Sequence, residues 1–133
     1  MTATSVQQSL DRLGKKILKK LEIQDATLDI FLLSHDKMAA MKWKLMKKKT
    51  EPNVLSFPEP VKFPHPEKKK RHLGDVFLNR DILKKSPERT TPLLVHGILH
   101  LLGYDHEKKN DKGKMERMEK KVIGMLDGKK KIM

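Results

Sequence analysis

Apolar residues recur along the chain with two different periods, and the switches between them mark out its elements. From Ser5 to Leu21, Val6, Leu10, Leu13, Ile17, Leu18 and Leu21 fall at helical spacing with Lys and Gln between them, which predicts an amphipathic helix. Leu28, Ile30 and Leu32 then alternate with Asp29 and Phe31, the period of a partly buried strand. Ser34 is placed to cap a helix running to about Lys48, with Met38, Met41 and Leu45 facing inward. Val54 to Phe57 forms a short strand ended by Pro58. Pro58, Pro60, Pro64 and Pro66, with the KKKR run at Lys68 to Arg71, predict an exposed loop. Leu73 to Asn79 restores a strand pattern. Two more helices follow, from Pro92 to Leu102 and from about Lys108 to Leu126; the second places Met115, Met118, Val122 and Met125 on one side, with Gly128 at its stop. Strands and helices mix without regular alternation, so the expected class is α+β, in one domain over residues 1–133.

The third of these helices carries the chemistry. Thr91 and Pro92 suit its first positions, and Gly103 its end. Leu93, Leu94, Val95, Ile98, Leu99, Leu101 and Leu102 make it apolar nearly all round, so it should be buried. His96 and His100 lie four residues apart and project from one face, about one turn from each other. Buried imidazoles need partners, since an unsatisfied polar group there costs roughly 1–3 kcal/mol. A metal ion satisfies both at once. Beyond the Gly103 turn the chain can double back and bring His106 to the pair. Three imidazoles leave a fourth tetrahedral position open, the arrangement of a catalytic zinc site. A lone HxxxH is a weak signal; three of the six histidines within eleven residues is a much stronger one. His35, His65 and His72 show no such spacing and read as surface residues. Gly97, costly by about 1 kcal/mol in mid-helix, implies close packing or space beside the site. It also occupies the position where zinc peptidases with a similar histidine spacing carry their catalytic Glu, so peptide hydrolysis by that mechanism is not expected.

Charge then narrows the partner. Thirty Lys+Arg against 17 Asp+Glu give a net charge of +13, which draws a protein towards nucleic acid or an anionic surface. No apolar stretch reaches the roughly 18–20 residues of a membrane span. The absence of Cys excludes disulfides and a thiol nucleophile and fits a reducing compartment. The expectation is a cytoplasmic protein drawn to nucleic acid, with no membrane partner.

HGILHLLGYDH (His96 to His106) resembles the signature of the YbeY family of bacterial rRNA-maturation proteins, and NVLSFP (Asn53 to Pro58) and LGDV (Leu73 to Val76) agree in order and spacing. The resemblance covers most of the chain. It implies a small mixed sheet packed against helices with the HxxxH helix at the centre. It also implies a single-strand-specific endoribonuclease that matures rRNA and serves ribosome quality control. Carried over, His96, His100 and His106 would hold one Zn²⁺ per chain, and Asp105 would stand behind the third ligand. The substrate would be rRNA precursors, with the ribosomal subunit or its proteins as further partners.

The chain departs from the family in three places. Met46 stands where the family commonly has an Arg, and the neighbouring Lys47 and Lys48 are the candidate cations to replace it, without an Arg fork on phosphate. Only MTATS precedes the first helix, where the family usually has a strand. The segment between LGDV and the histidine helix is shorter than usual. The sequence names no general base. Basic residues at Lys42–Lys49 and Lys68–Arg71 are the candidates to hold the RNA backbone. Two other functions remain open: a non-catalytic ribosome-assembly factor with structural zinc, and a metallohydrolase, including a peptidase, acting on another substrate.

Overall fold

A three-stranded mixed sheet lies at the centre of the chain in a computed structural model that describes residues 3–48, 52–59, 71–104 and 109–126. His106, Asp105, His65, Lys49, Lys68 to Lys70 and Gly128 lie outside the described residues. In chain order the elements are α1 (Ala3–Lys20), β1 (Ala26–Leu33), α2 (His35–Met46), β2 (Val54–Pro58), β3 (Arg71–Asn79), α3 (Arg80–Lys85), a 3₁₀ turn (Pro87–Arg89), α4 (Thr90–Leu101) and α5 (Lys109–Leu126). β3 is the central strand, parallel to β1 and antiparallel to β2.

Burial follows the hydrophobic pattern. Leu10, Ile17 and Leu18 of α1, Ile30 of β1, Leu73, Val76 and Leu78 of β3, and Met115 and Val122 of α5 close around the inner face of α4. α4 supplies Leu94, Val95, Ile98, Leu99 and Leu101 to the same core. Gln7 ties α1 to the sheet by donating from Nε2 to the Ile30 carbonyl at 2.8 Å. The other face of the sheet is thinner. Leu55 is buried there together with Met38 of α2, apart from the main core. Phe77 stacks on Phe31 at 4.9 Å and meets Phe57 edge-on at 5.6 Å.

Several local features differ from the sequence pattern. α2 is capped as expected, with Ser34 Oγ accepting from Lys37 N–H at 3.3 Å, but only its first turn is covered. Leu45, expected to face inward, is 57% exposed, and Trp43 is 47% exposed. α4 begins at Thr90 rather than at Pro92, so Thr91 lies inside the first turn and supplies no cap. The preceding 3₁₀ turn feeds directly into the helix in its place, and Pro92 is tolerated because first-turn N–H groups have no intrahelical partner. α3, six residues long, has too little periodicity to be read from sequence.

β3 carries an irregularity with consequences for its side chains. Thr27 pairs with His72 but Asp29 pairs with Asp75, so one extra residue of β3 is accommodated there. Gly74 adopts φ +142° in this stretch, and a Cβ at that position would collide with the Phe57 carbonyl oxygen. The glycine of LGDV is thereby explained by backbone approach alone. The bulge also resets the alternation and brings His72 and Asp75 together, although an odd spacing of three would place them on opposite faces of a regular strand.

Candidate functional site

α4 has one stripe that the core does not absorb, and it carries the two histidines. The ring centroids of His96 and His100 lie 5.0 Å apart with planes at 70°. The helix is fixed beneath them from two sides. Leu94, Val95, Ile98 and Leu99 are fully buried. On the β2 side Ser56 Oγ donates to the Gly97 carbonyl at 2.9 Å. A Cβ at Gly97 would lie 2.8 Å from Val76 Cγ1 and 3.1 Å from both Ser56 Oγ and Val54 Cγ2. Gly97 is therefore the point where α4 sits directly on β2 and β3, and NVLSFP is the strand against which it sits.

α5 completes the pair from the other side. Glu119 Oε2 lies 3.3 Å from His96 Nδ1, with both side chains partly buried at 22% and 27% exposure. A carboxylate at Nδ1 holds the proton on that nitrogen and leaves the Nε2 lone pair outward, the arrangement by which metal-ligating histidines are oriented. Sequence reading missed Glu119. The available signal was its place between Met115 and Val122 on the apolar side of α5, where a carboxylate needs a partner.

After His100 the chain reverses. Gly103 takes φ +100° and its N–H reaches the His100 carbonyl at 3.0 Å; Tyr104 N–H then returns to the Leu99 carbonyl at 3.1 Å. The expected turn is present as far as Tyr104, and His106 itself falls beyond the described residues. The structure thus brings two of the three predicted ligands together, and their chemistry fits a zinc-type ion: neighbouring imidazoles one helical turn apart, one of them backed by a carboxylate.

The candidate cations lie elsewhere, at the exposed end of α2. Lys47 closes the helix in a left-handed conformation, φ 55°, with its ammonium 5.4 Å above the Trp43 ring. Lys42 is held below the ordinary lysine range, chiefly by burial and secondarily by the charge of Lys48. Met46, in the position of the family arginine, is 45% exposed.

Of the two remaining described histidines, His35 is exposed, as expected, and His72 is partly buried, and both have polar partners. His35 Nδ1 lies 3.0 Å from Asn79 Nδ2. His72 lies with Nε2 3.0 Å from Asp29 and Nδ1 3.2 Å from Glu59. Ligating atoms of Asp29, His72 and Asp75 come within 4.8 Å of one another, a second group able to hold a cation. Burial raises the Asp75 pKa, with the neighbouring Asp29 adding to it and His72 opposing it.

Comparison with known proteins agrees with the architecture. Residues 1–127 match the family model described as Endoribonuclease YbeY. The Bartonella henselae protein named Endoribonuclease YbeY is 35% identical over 128 residues, covering 84% of this chain and 77% of that protein. A Nitrobacter hamburgensis protein of the same name is 36% identical over 94 residues, and the match spans 63% of this chain and 48% of that protein. The solution structure of TM1509 from Thermotoga maritima superposes with a TM-score of 0.51 at 22% identity, covering 97% of this chain and 89% of that one, a likeness of fold.

Proposed function

The chain belongs to the YbeY endoribonuclease family, and from that premise we propose that it is a single-domain, zinc-dependent hydrolase that cuts single-stranded RNA during rRNA maturation and ribosome quality control. The observation that carries this reading is the His96–His100 pair with Glu119 behind it. His96, His100 and His106 would hold the ion. When bound there, such an ion supplies Lewis acidity, drawing the pKa of water down to about 7 and polarising a phosphoryl oxygen.

The chain's own residues do the rest. Glu119 is a positioning residue, keeping the His96 Nδ1 proton in place so that Nε2 faces outward. Gly97 and Ser56 hold the helix register that sets the two rings side by side. The open stripe of α4 admits the RNA strand, while the buried stripe excludes water from beneath. Basic residues, Lys47 and Lys48 among them, hold the RNA backbone and offset the charge that develops on the phosphate. No helix among the described residues is long and apolar enough to cross a membrane. Membership of the family supports rRNA precursors and the ribosomal subunit as partners, and the cytoplasm as the place of action.

Metal content tests the site. Elemental mass spectrometry of the purified protein should give about one zinc per chain, lost in a His96→Ala/His100→Ala variant whose circular dichroism is unchanged. A folded parent that takes up no metal even after zinc reconstitution would contradict the hydrolase. Loss of fold together with metal would favour an assembly factor with structural zinc.

A further inference from the structure

α3 ends at Ser86, whose N–H returns to the Ile82 carbonyl, and the 3₁₀ turn from Pro87 then reverses the chain into α4. This reversal gathers Lys84, Lys85, Ser86 and Arg89 around one open cavity of about 670 Å³, which His35, Asp81 and Ile82 also line. The volume lies within the range of about 300–1,000 Å³ usual for ligand sites. Three cations face one carboxylate. That carboxylate is already engaged: Asp81 Oδ2 accepts the His35 backbone N–H at 2.8 Å, the bond that holds its pKa below the usual carboxylate value. Its lining therefore includes more cationic side chains than carboxylates, Lys84 and Lys85 alone outnumbering Asp81, beside the Ser86 hydroxyl.

His35 adds a donor. Fully buried Asn79 donates from Nδ2 to the Pro52 carbonyl at 3.1 Å and accepts the Ile82 N–H on Oδ1 at 3.1 Å, which fixes the orientation of its amide. The same Nδ2 faces His35 Nδ1, so that ring nitrogen is the acceptor and the proton resides on Nε2. An imidazole held in this tautomer has an N–H on Nε2 to donate, which suits an anion.

The cavity also lines up with the histidine pair. Once Leu94, Val95, Ile98, Leu99 and Leu101 are buried, the stripe of α4 left facing outward runs through Pro92, His96 and His100, and Arg89 stands at its head. Arg89 precedes His96 by seven residues, two turns of helix and about 10 Å along the axis. We propose that this cavity is a phosphate subsite, which holds a backbone phosphodiester of the single-stranded RNA while another phosphate of the same strand lies at His96 and His100. The assignment rests on the endoribonuclease reading above and adds to it the direction in which the strand runs along α4. Lys84, Lys85 and Arg89 bind by charge, and Ser86 and His35 by hydrogen bonds.

The test measures binding separately from cleavage. Anisotropy of a labelled single-stranded oligoribonucleotide is followed with the full chain across a salt series, for the parent, for Lys84→Gln/Lys85→Gln, for Arg89→Gln, and for Lys15→Gln/Lys16→Gln on the exposed face of α1. Both subsite variants should bind roughly tenfold more weakly. The double variant should lose about 1.4 from its salt slope, at about 0.7 per contact on single strands. KM for cleavage should rise with kcat unchanged, and the α1 variant should bind within about twofold of the parent. Equal losses in the α1 and subsite variants would overturn the subsite and leave a diffuse positive surface. Inorganic phosphate supplies a second arm. If it perturbs the Ser86 and Arg89 amide resonances while RNA affinity is indifferent to Lys84 and Lys85, the cavity serves free phosphate and the proposal fails. A parent that does not cut RNA but loses binding in both subsite variants would retain the subsite and refute the nuclease. Normal cleavage with unaltered KM in both variants would refute the subsite alone.

Discussion

A carboxylate lies 3.3 Å from one ring of the His96–His100 pair, the arrangement by which metal-ligating histidines are oriented. If Glu119 orients His96, Glu119→Gln should lower zinc affinity by about 10–100-fold in chelator competition, with the fold intact. An unchanged affinity would leave Glu119 a bystander. On β3 the predicted effect has the opposite sign. Asp75 is raised above its ordinary value of 3.8, first by burial and then by Asp29 and Glu59. The folded state therefore holds its proton more tightly than the unfolded state, and stability is lost as pH rises from that ordinary value through the raised one. Asp75→Asn removes the penalty. It should melt higher than the parent at pH 7, and the difference should vanish as pH falls below about 3.8; thermal melts across pH would show a constant gap if the cause lay elsewhere. At this scale the sequence reveals His96 and His100, because i and i+4 share a helix face whatever the rest of the fold does. Glu119 stays hidden because its contact crosses 23 positions, and His72 because a bulge, invisible to a period of two, turns it towards Asp29 and Asp75.

Among the elements, α4 depends most on a single small residue. Gly97→Ala would gain about 1 kcal/mol of helix propensity, but its Cβ would press on Val76 Cγ1, itself immobilised in the central strand. Overpacking of this kind costs about 1–3 kcal/mol. The variant should be destabilised by up to about 2 kcal/mol in urea, and displacement of α4 from β2 should weaken zinc binding as well. A more stable variant would show that the helix does not sit as tightly as its contacts imply. α1, β1, β2, β3 and α5 are readable from hydrophobic period because each has one face in the core. α2 is half-readable: its cap and Met38 follow the pattern, whereas Leu45, expected inward, is exposed. α3 and the 3₁₀ turn escape because they are too short for a period to show, with Ile82 and Leu83 the only apolar side chains of α3. The same segment nonetheless shapes the cavity that ends at Arg89.

Over the whole molecule, charge and core are separated. The core is built from the inner face of the sheet and three helices, and the stretch from Arg80 to Leu102 holds few of the thirty basic residues. The net charge of +13 accounts for attraction to a polyanion but says nothing about cutting it. The proposed chemistry comes from the α4 stripe, and it is tested most directly there. Cleavage of a single-stranded RNA and of its duplex should be followed with chelator-stripped parent, with parent reconstituted with one equivalent of zinc, and with His100→Ala treated identically. The account predicts cutting of the single strand by the reconstituted parent alone, and RNA binding by all three. Equal cleavage by stripped parent or by His100→Ala would contradict it, since the phosphodiester would then be hydrolysed without the site the histidines form.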